Sequence, residues 1–439
     1  MKKEEIKEKI GLIQFFQSGH FLDRSAQIEP YEGYDSYLDY YIAERMDPIR
    51  YLKTRIKSRT KKAEDPIPQI EDLLKRIDPR EYVCILSPFY QGKPIDGYTK
   101  RVQQIDEKVL DDRKKIYLDH TDLADRHFSV SEYDKDHIVI KYNSFDSTHR
   151  NAIAKITDAV RKIYIHSVHV LMPDIADYRL LDILFKEGNR TVLDLHGAVS
   201  DELKQFDTEE RADLAKTVEQ VVMGLSDRIV CMSKAMGDHY VKRYGIDPDK
   251  LIVMTIMPFE SDEKLESKKP DHEPLKVVYS GGVQKWQNID RIRDSIRANR
   301  DRYSFRIFTQ DPETLKRDWS DIAGEGLEIR NGSAEEIYRE YESCDFGYLL
   351  RDDNTVNNVS CPTKSIEYIR FGIIPIFLSD RIGDYPEYGL RYLSLEDFDQ
   401  GIIPDETERR EMIENNFRVL KKIIEVSDRG KEAIRDYMK

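Results

Sequence analysis

Cysteine is scarce in this 439-residue chain, and the four present, Cys84, Cys231, Cys344 and Cys361, form no CxxC pair. That spacing supports neither a disulfide framework nor a zinc site, and it fits buried thiols in a reducing compartment. Long apolar runs are missing as well. None approaches the roughly 18 residues that a membrane-spanning helix needs. The N-terminus, MKKEEIKEKIGLIQFF, carries charge but neither the apolar core nor the small-residue cleavage site of a signal peptide. The expectation is a cytoplasmic protein. Excess positive charge is the third absence: the net charge is -13, which disfavours a nucleic-acid binder. No cluster with metal-ligand spacing stands out, and no pair of carboxylates is placed as general acid and nucleophile.

What is present argues for two domains. The chain is too long for one ordinary core. Its 39% hydrophobic residues suffice for packed interiors, while 35% charged residues give a polar surface. Residues 1–80 lack strand-like runs and read as a helical extension. Tyr31, Tyr34, Tyr37 and Tyr41 fall at helical spacing, and residues 49–62, IRYLKTRIKSRTKK, hold seven basic residues and no acidic one. From Tyr82 the pattern changes. YVCIL, KIYL, HIVIK, IYIHSVHV, TVLDL, DRIVCM and LIVMTI alternate with amphipathic stretches such as GYTKRVQQIDEKVL and AIAKITDAVRKI. Strand and helix in repetition mean a parallel sheet covered on both faces. Residues 259–274, FESDEKLESKKPDHEP, contain nine charged residues and two prolines, which no core accepts, and read as a linker. The alternation then restarts with KVVYS, SFRIFT, LEIR, FGYLL and IIPIFL. The predicted organisation is an extension over 1–80, a Rossmann-like domain over 81–258, a linker over 259–274, a second Rossmann-like domain over 275–400 and helices over 401–439. Ligands of such sheets bind at the carboxyl ends of the strands, so the expected site is a cleft faced by both domains.

The segment SCPTKSIEYIRFGIIPIFLSD, residues 360–380, carries the strongest chemistry. Pro362 suits the first turn of a helix, Ser360 or Cys361 lies near its cap, and Gly372 suits its end. The free N–H groups at such a helix start attract an anion, and Lys364 adds positive charge. Glu367, one turn on and on the same face, can accept two hydrogen bonds from a ribose diol. The combination suits a nucleoside diphosphate. An ordinary capped helix with a Lys–Glu pair reads the same residues equally well. In VVYSGGVQKWQNIDRI, residues 277–292, Gly281 and Gly282 let backbone approach a ligand and Lys285 can meet phosphate. In TVLDLHGAVSDE, His196 ends a central strand, where sites of α/β sheets sit. Ser233 reads as a helix cap, and Ser333 with Glu336 as a capping box.

PTKSIEYIRFGIIPIF resembles the donor-binding helix of retaining GT-B glycosyltransferases, in the large group that includes sucrose synthases, mannosyltransferases and capsule enzymes (family 4-like). The resemblance runs over residues 82 to about 400 in segment order, and only the Glu367 segment is specific by itself. It implies two doubly wound domains facing a cleft, with a nucleotide sugar, a UDP-sugar foremost, as substrate rather than cofactor. It places the donor ribose on Glu367. The pyrophosphate falls to the loop of Gly281, Gly282 and Lys285 and to the helix start of Pro362, Thr363 and Lys364. His196 would hold the sugar. The family's earlier glutamate is replaced by Val359, so Asn357, Asn358 and Ser360 are candidates at that end, and its Gly-Arg pair is missing because Val283 follows Gly282. Gly97, before the helix GYTKRVQQID, resembles the loop that faces donor phosphates and acceptor. Arg101, His166 and His169 fall on the acceptor side.

Under this resemblance the reaction proceeds on one face of the sugar, with the leaving diphosphate taking the acceptor proton. His196, Lys285 and Glu367 position the donor, and no metal is required. The acceptor is a glycan or lipid-linked molecule of surface polysaccharide or glycoconjugate synthesis. Residues 49–62 suit contact with an anionic membrane at its inner face, although a solvated helix face explains them too. The missing arginine and glutamate keep a second class open, a non-catalytic GT-B partner subunit, and an epimerase of the same fold is a third.

Overall fold

The computed structural model describes residues 65–90, 97–121, 127–144, 146–171, 180–207, 209–258 and 273–439, without the side chains of Glu210 and Lys285. The tyrosine stripe, the basic stretch 49–62 and most of the linker lie outside the described residues. Two compact units emerge. One comprises residues up to Cys231, Gly237–Val253 and Gly430–Lys439, and the other Met232–Met236 and Met254–Arg429. The division differs from a simple cut at the linker: the helix Glu406–Tyr437 belongs to the second unit up to Arg429 and to the first beyond it.

The first unit is built on eight strands: Tyr82–Leu86 (β1), Lys114–His120 (β2), Ser129–Glu132 (β3), His137–Tyr142 (β4), Lys162–Ile165 (β5), Arg190–Asp194 (β6), Arg228–Cys231 (β7) and Leu251–Val253 (β8). Their order is β3-β4-β2-β1-β5-β6-β7-β8, parallel throughout except for the β3–β4 pair. The chain builds outward from β1 to one edge and returns to β5 on its other side, so the order reverses between β1 and β5. Ligands of open α/β sheets bind beside such a reversal.

The second unit holds six parallel strands: Lys276–Ser280 (β9), Ser304–Phe308 (β10), Leu327–Arg330 (β11), Phe346–Leu349 (β12), Ile374–Phe377 (β13) and Leu393–Ser394 (β14). Their order is β11-β10-β9-β12-β13-β14, which reverses between β9 and β12. Each sheet is buried on both faces, as the near-continuous apolar runs require: all five residues of β1 and all four of β12 and β13 are buried. In the second unit Val277, Tyr279, Phe305, Ile307, Phe346, Tyr348 and Ile376 form the central core. Each such side chain contributes roughly 1.5–3 kcal/mol on leaving water.

Some expectations were too long and two strands went unread. IYIHSVHV is a strand only to Ile165, because Ser167 takes φ 138° and Val168–Leu171 winds into a 3-10 turn. LIVMTI pairs only over Leu251–Val253. β3, SVSE, is a polar antiparallel edge held by its partner, and β14 has two residues, so neither shows an apolar run. Among the described residues no helix is long and apolar enough to cross a membrane.

Candidate functional site

The reversal point of the second unit is where its unusual charges gather. β9 ends in Ser280 and runs into Gly281, whose N–H donates to the Phe308 carbonyl (2.9 Å). Gly281 has φ 154°, and a Cβ there would lie 2.5 Å from Lys364 Nζ, so this backbone needs glycine. Gly282 is less constrained, since a Cβ would meet only the flexible end of Gln284. Its carbonyl accepts the Tyr279 hydroxyl at 2.5 Å, which holds the turn onto its strand.

Lys364 comes from the helix Thr363–Arg370, for which Pro362 is the N-cap rather than the first helical residue. No side chain caps this end: Ser360 Oγ donates instead to the Asn357 carbonyl (2.9 Å), and Ser365 Oγ to the Pro362 carbonyl. Phe371 closes the helix and Gly372 follows at φ 65°, as its sequence position foretells. Lys364 Nζ lies 4.0 Å from the centre of the Tyr279 ring. It is buried and has no hydrogen-bond partner among the described residues. Burial, with Arg351 adding repulsion and Glu367 opposing, pushes Lys364 down to about 7.

Arg351 is the residue the sequence reading missed. It follows β12 across the reversal from Gly281, in the stretch RDDN. Its Nη1 donates to the Trp286 carbonyl (3.1 Å), and its Nε is buried without a partner among the described residues. Burial lowers its pKa, and Tyr279 and Asp352 offset that only in part. Asn288, at φ 53°, ties the same loop down by donating to the Leu350 carbonyl and to Asp352, each at 3.1 Å. Arg351 thus brings a guanidinium to this turn from the loop after β12. Lys285 sits in the turn Lys285–Gln287 between these anchors, and its side chain lies outside the described residues.

Glu367 faces the helix Ala334–Tyr341, from which the Tyr338 hydroxyl donates to Oε1 (3.1 Å). Ser333 and Glu336 form the predicted capping box of that helix. Asn357 and Asn358 lie in the short helix Thr355–Asn358. Asn357 Nδ2 donates to the Asp352 carbonyl (2.9 Å). Asn358 Nδ2 donates to Asp353 (2.8 Å), while its Oδ1 is buried without a partner among the described residues. Ser233 caps its own helix through Met236 N–H (3.0 Å) and donates to the Val359 carbonyl (2.6 Å).

The first unit gathers a different cluster at the ends of β1, β5 and β6. Its hub is Asp194, at the end of β6. Arg101 clamps it with Nε to Oδ2 (2.8 Å) and Nη2 to Oδ1 (3.0 Å), and the Tyr164 hydroxyl adds a third bond to Oδ2 (2.6 Å). All three side chains are buried. Burial pushes the Asp194 carboxyl up, but the charge and hydrogen bonds of Arg101 outweigh it and hold the group well below the usual carboxylate range. The Arg101 guanidinium is thus buried and engaged with Asp194.

His166 and His196 stand beside this hub with ring centres 4.3 Å apart. His166 Nε2 meets the Tyr98 carbonyl at 3.2 Å and must carry the proton there. Burial, with His196 nearby, pushes its pKa well below the ordinary value, so its Nδ1 is a bare acceptor. That atom is 3.8 Å from Asp194 Oδ2, and His196 Nε2 is 4.0 Å from the same oxygen. The three groups could surround a cation, their ligand atoms lying within 4.8 Å of one another. Yet Asp194 is already neutralised and hydrogen-bonded three times. The bare nitrogen suits a hydroxyl donor better. His169 lies half-buried in the Val168–Leu171 turn, with its N–H on Ser167 Oγ (3.2 Å). Gly97 opens the helix Gly97–Gln104, and a Cβ there would meet nothing within 4 Å among the described residues.

Comparison with known proteins bears on the fold. No protein-family model and no curated protein sequence matches the chain. Solved structures do. Anabaena Alr3699/HepE in complex with UDP superposes with a TM-score of 0.56 at 12% identity, over 81% of this chain and 100% of that one. The α,α-trehalose-phosphate synthase (UDP-forming) of Burkholderia vietnamiensis gives 0.51 at 13% identity, over 81% and 100%. That of Burkholderia multivorans gives 0.52 at 12%, over 81% and 96%. The fold is the GT-B fold. At these identities the likeness speaks for the architecture, and the residues must speak for the chemistry.

Proposed function

We propose that the protein is a glycosyltransferase that takes a sugar from a nucleotide-sugar donor, a UDP-sugar foremost. One observation carries the reading: at the sheet reversal of the second unit, buried Lys364 Nζ and Arg351 Nε both lack hydrogen-bond partners among the described residues, beside a glycine whose Cβ would lie 2.5 Å from that Nζ. A buried ammonium without an acceptor, beside a guanidinium whose Nε lacks one, is costly unless an anion completes them. A diphosphate is an anion of matching charge, and bidentate contact suits the guanidinium. Glu367, oriented by Tyr338, takes the ribose hydroxyls. The complexes of HepE with UDP and with UDP-glucose support a uridine donor for this fold.

The first unit's neutral His166 accepts a sugar hydroxyl, with His196 beside it and Asp194 and Arg101 forming the base of the cluster. In this reading catalysis is positioning plus stabilisation of charge on the leaving diphosphate by Arg351 and Lys364. Retention of configuration, a glycan or lipid-linked acceptor of surface polysaccharide synthesis, independence from metal, a cytoplasmic location and membrane contact through residues 49–62 complete the proposal. The test is a panel of nucleotide sugars incubated with pure protein and scored for free nucleoside diphosphate, beside Glu367→Ala. Slow release from one donor, lost in the variant, is expected. No release from any donor, with no thermal shift from UDP or GDP, overturns the reading in favour of a non-catalytic partner subunit.

A further inference from the structure

The second unit's pocket raises a question of charge. An ammonium group out of water with no acceptor is unfavourable, and a guanidinium alongside makes it more so. Lys364 meets both conditions. Among the described residues the charged groups that act on it are Arg351, which follows β12, and Glu367, one turn on in its own helix. Tyr279 of β9 lies beneath it, offering a ring rather than a lone pair. Asp352 acts on Arg351, and Tyr338 engages Glu367. Arg351 cannot give up its proton, so of these two cations Lys364 is the one that can shed charge.

We propose that the pocket is charged by its own ligand: a nucleoside diphosphate group entering it draws one proton from solvent onto Lys364 Nζ. The nitrogen lone pair forms an N–H bond, no bond of the ligand changes, and the new ammonium donates to the diphosphate that induced it. Arg351 is the permanent charge that makes first contact, and Lys364 the conditional one. Donor binding then strengthens as pH falls toward neutrality, and departure of the nucleoside diphosphate returns the proton. The pKa of Lys364 without a bound anion, about 7, agrees with this geometry. The inference rests on the donor site proposed above.

The experiment is calorimetric titration of UDP-glucose into the full chain, in buffers of different ionisation enthalpy, at pH 6 and pH 8. UDP-glucose is chosen because its diphosphate is doubly esterified and does not titrate near neutrality. Close to one proton taken up per ligand is expected at pH 8, and close to none at pH 6. Lys364→Arg, always charged, should bind with no uptake at either pH. Arg351→Met, relieving the repulsion, should lower the uptake at pH 8 and serves where the first variant does not fold. Binding of UDP-glucose without proton uptake at pH 8, or uptake that persists in Lys364→Arg, overturns the inference and leaves the donor reading standing. Pyrophosphate is titrated in parallel, its own ionisation cancelling between wild type and Lys364→Arg. Lys364-dependent uptake with pyrophosphate but no binding of UDP-glucose supports the inference and counts against that donor. Binding of neither probe overturns both.

Discussion

The two units bury charge at equivalent places, the reversal points of their sheets, and in opposite ways. In the first unit Asp194 is matched by Arg101 and Tyr164, so the ionic group is complete in the empty protein. In the second unit Lys364 and Arg351 stand together, and Glu367 is the carboxylate that acts on Lys364. A balanced buried pair is part of the scaffold and holds neighbours in place. An unbalanced pair is costly to the empty fold and yields that free energy back when an anion arrives.

The largest expected effect separates these two kinds of burial. Asp194→Ala leaves the Arg101 guanidinium buried and unpaired, and should cost about 3–5 kcal/mol in denaturant unfolding of the full chain. Lys364→Met removes a charge that has no partner to orphan, so stability should hold or rise. The sign depends on pH. Lys364 sits at about 7 when folded against 10.5 when exposed, so between these values the unfolded chain holds more protons and stability rises with pH. The advantage of Lys364→Met should therefore be full below pH 7 and gone above 10.5. Equal destabilisation by both variants would break the comparison.

That contrast also explains what the sequence could and could not disclose. Strands buried on both faces declare themselves as apolar runs, and local caps such as Ser333–Glu336 are written in four residues. Glu367 and Lys364 share a helix turn, and their spacing shows it. Arg101 and Asp194 are 93 residues apart, and nothing in either neighbourhood names the other. Arg351 lies among Asp352, Asp353 and Asn354, where charge ordinarily means solvent. Only the strand order, which brings β12 beside β9, turns that loop residue into a neighbour of Gly281. Long-range pairing and topology were the missing knowledge, not residue chemistry.

The glycines sharpen the same comparison at smaller scale. Gly281→Ala places a Cβ at positive φ and 2.5 Å from Lys364 Nζ. Strain of about 1–3 kcal/mol should weaken donor binding on the order of tenfold in a titration. Gly97→Ala meets open space among the described residues and should stay within about 0.5 kcal/mol of wild type. If the two variants behaved alike, the second unit's glycine would not be shaped by its pocket.

His137, in the first unit, tests whether balanced clusters carry their own pH dependence. Hydrogen bonds to Asp106 raise its pKa, burial opposes, and Asp134 adds to the rise. Asp106 also takes Lys115 (2.9 Å) and the Tyr117 hydroxyl (2.5 Å). The folded value lies above the 6.5 of exposed histidine, so the stabilisation is full below 6.5 and is lost as pH rises through the folded value. His137→Gln should cost on the order of 1.5 kcal/mol at pH 6 and less at pH 8, read by denaturant unfolding.

The smallest effect is expected where the second unit's pocket is already complete. Tyr338 donates a single hydrogen bond to Glu367 at 3.1 Å, and burial and Glu367 raise its own pKa, so the hydroxyl keeps its proton. Tyr338→Phe removes that bond but neither the ring packing nor the carboxylate. A hydrogen bond to a charged group contributes about 1.5 kcal/mol at the lower end, and under the proposed donor reading a ribose diol replaces part of it in the complex. KM for the donor should rise a few-fold with kcat nearly unchanged, since the contact acts on binding rather than on the leaving group. A fall in kcat with constant KM would instead place Glu367 close to the reacting bond, moving the reacting centre from the diphosphate toward the ribose end of the site.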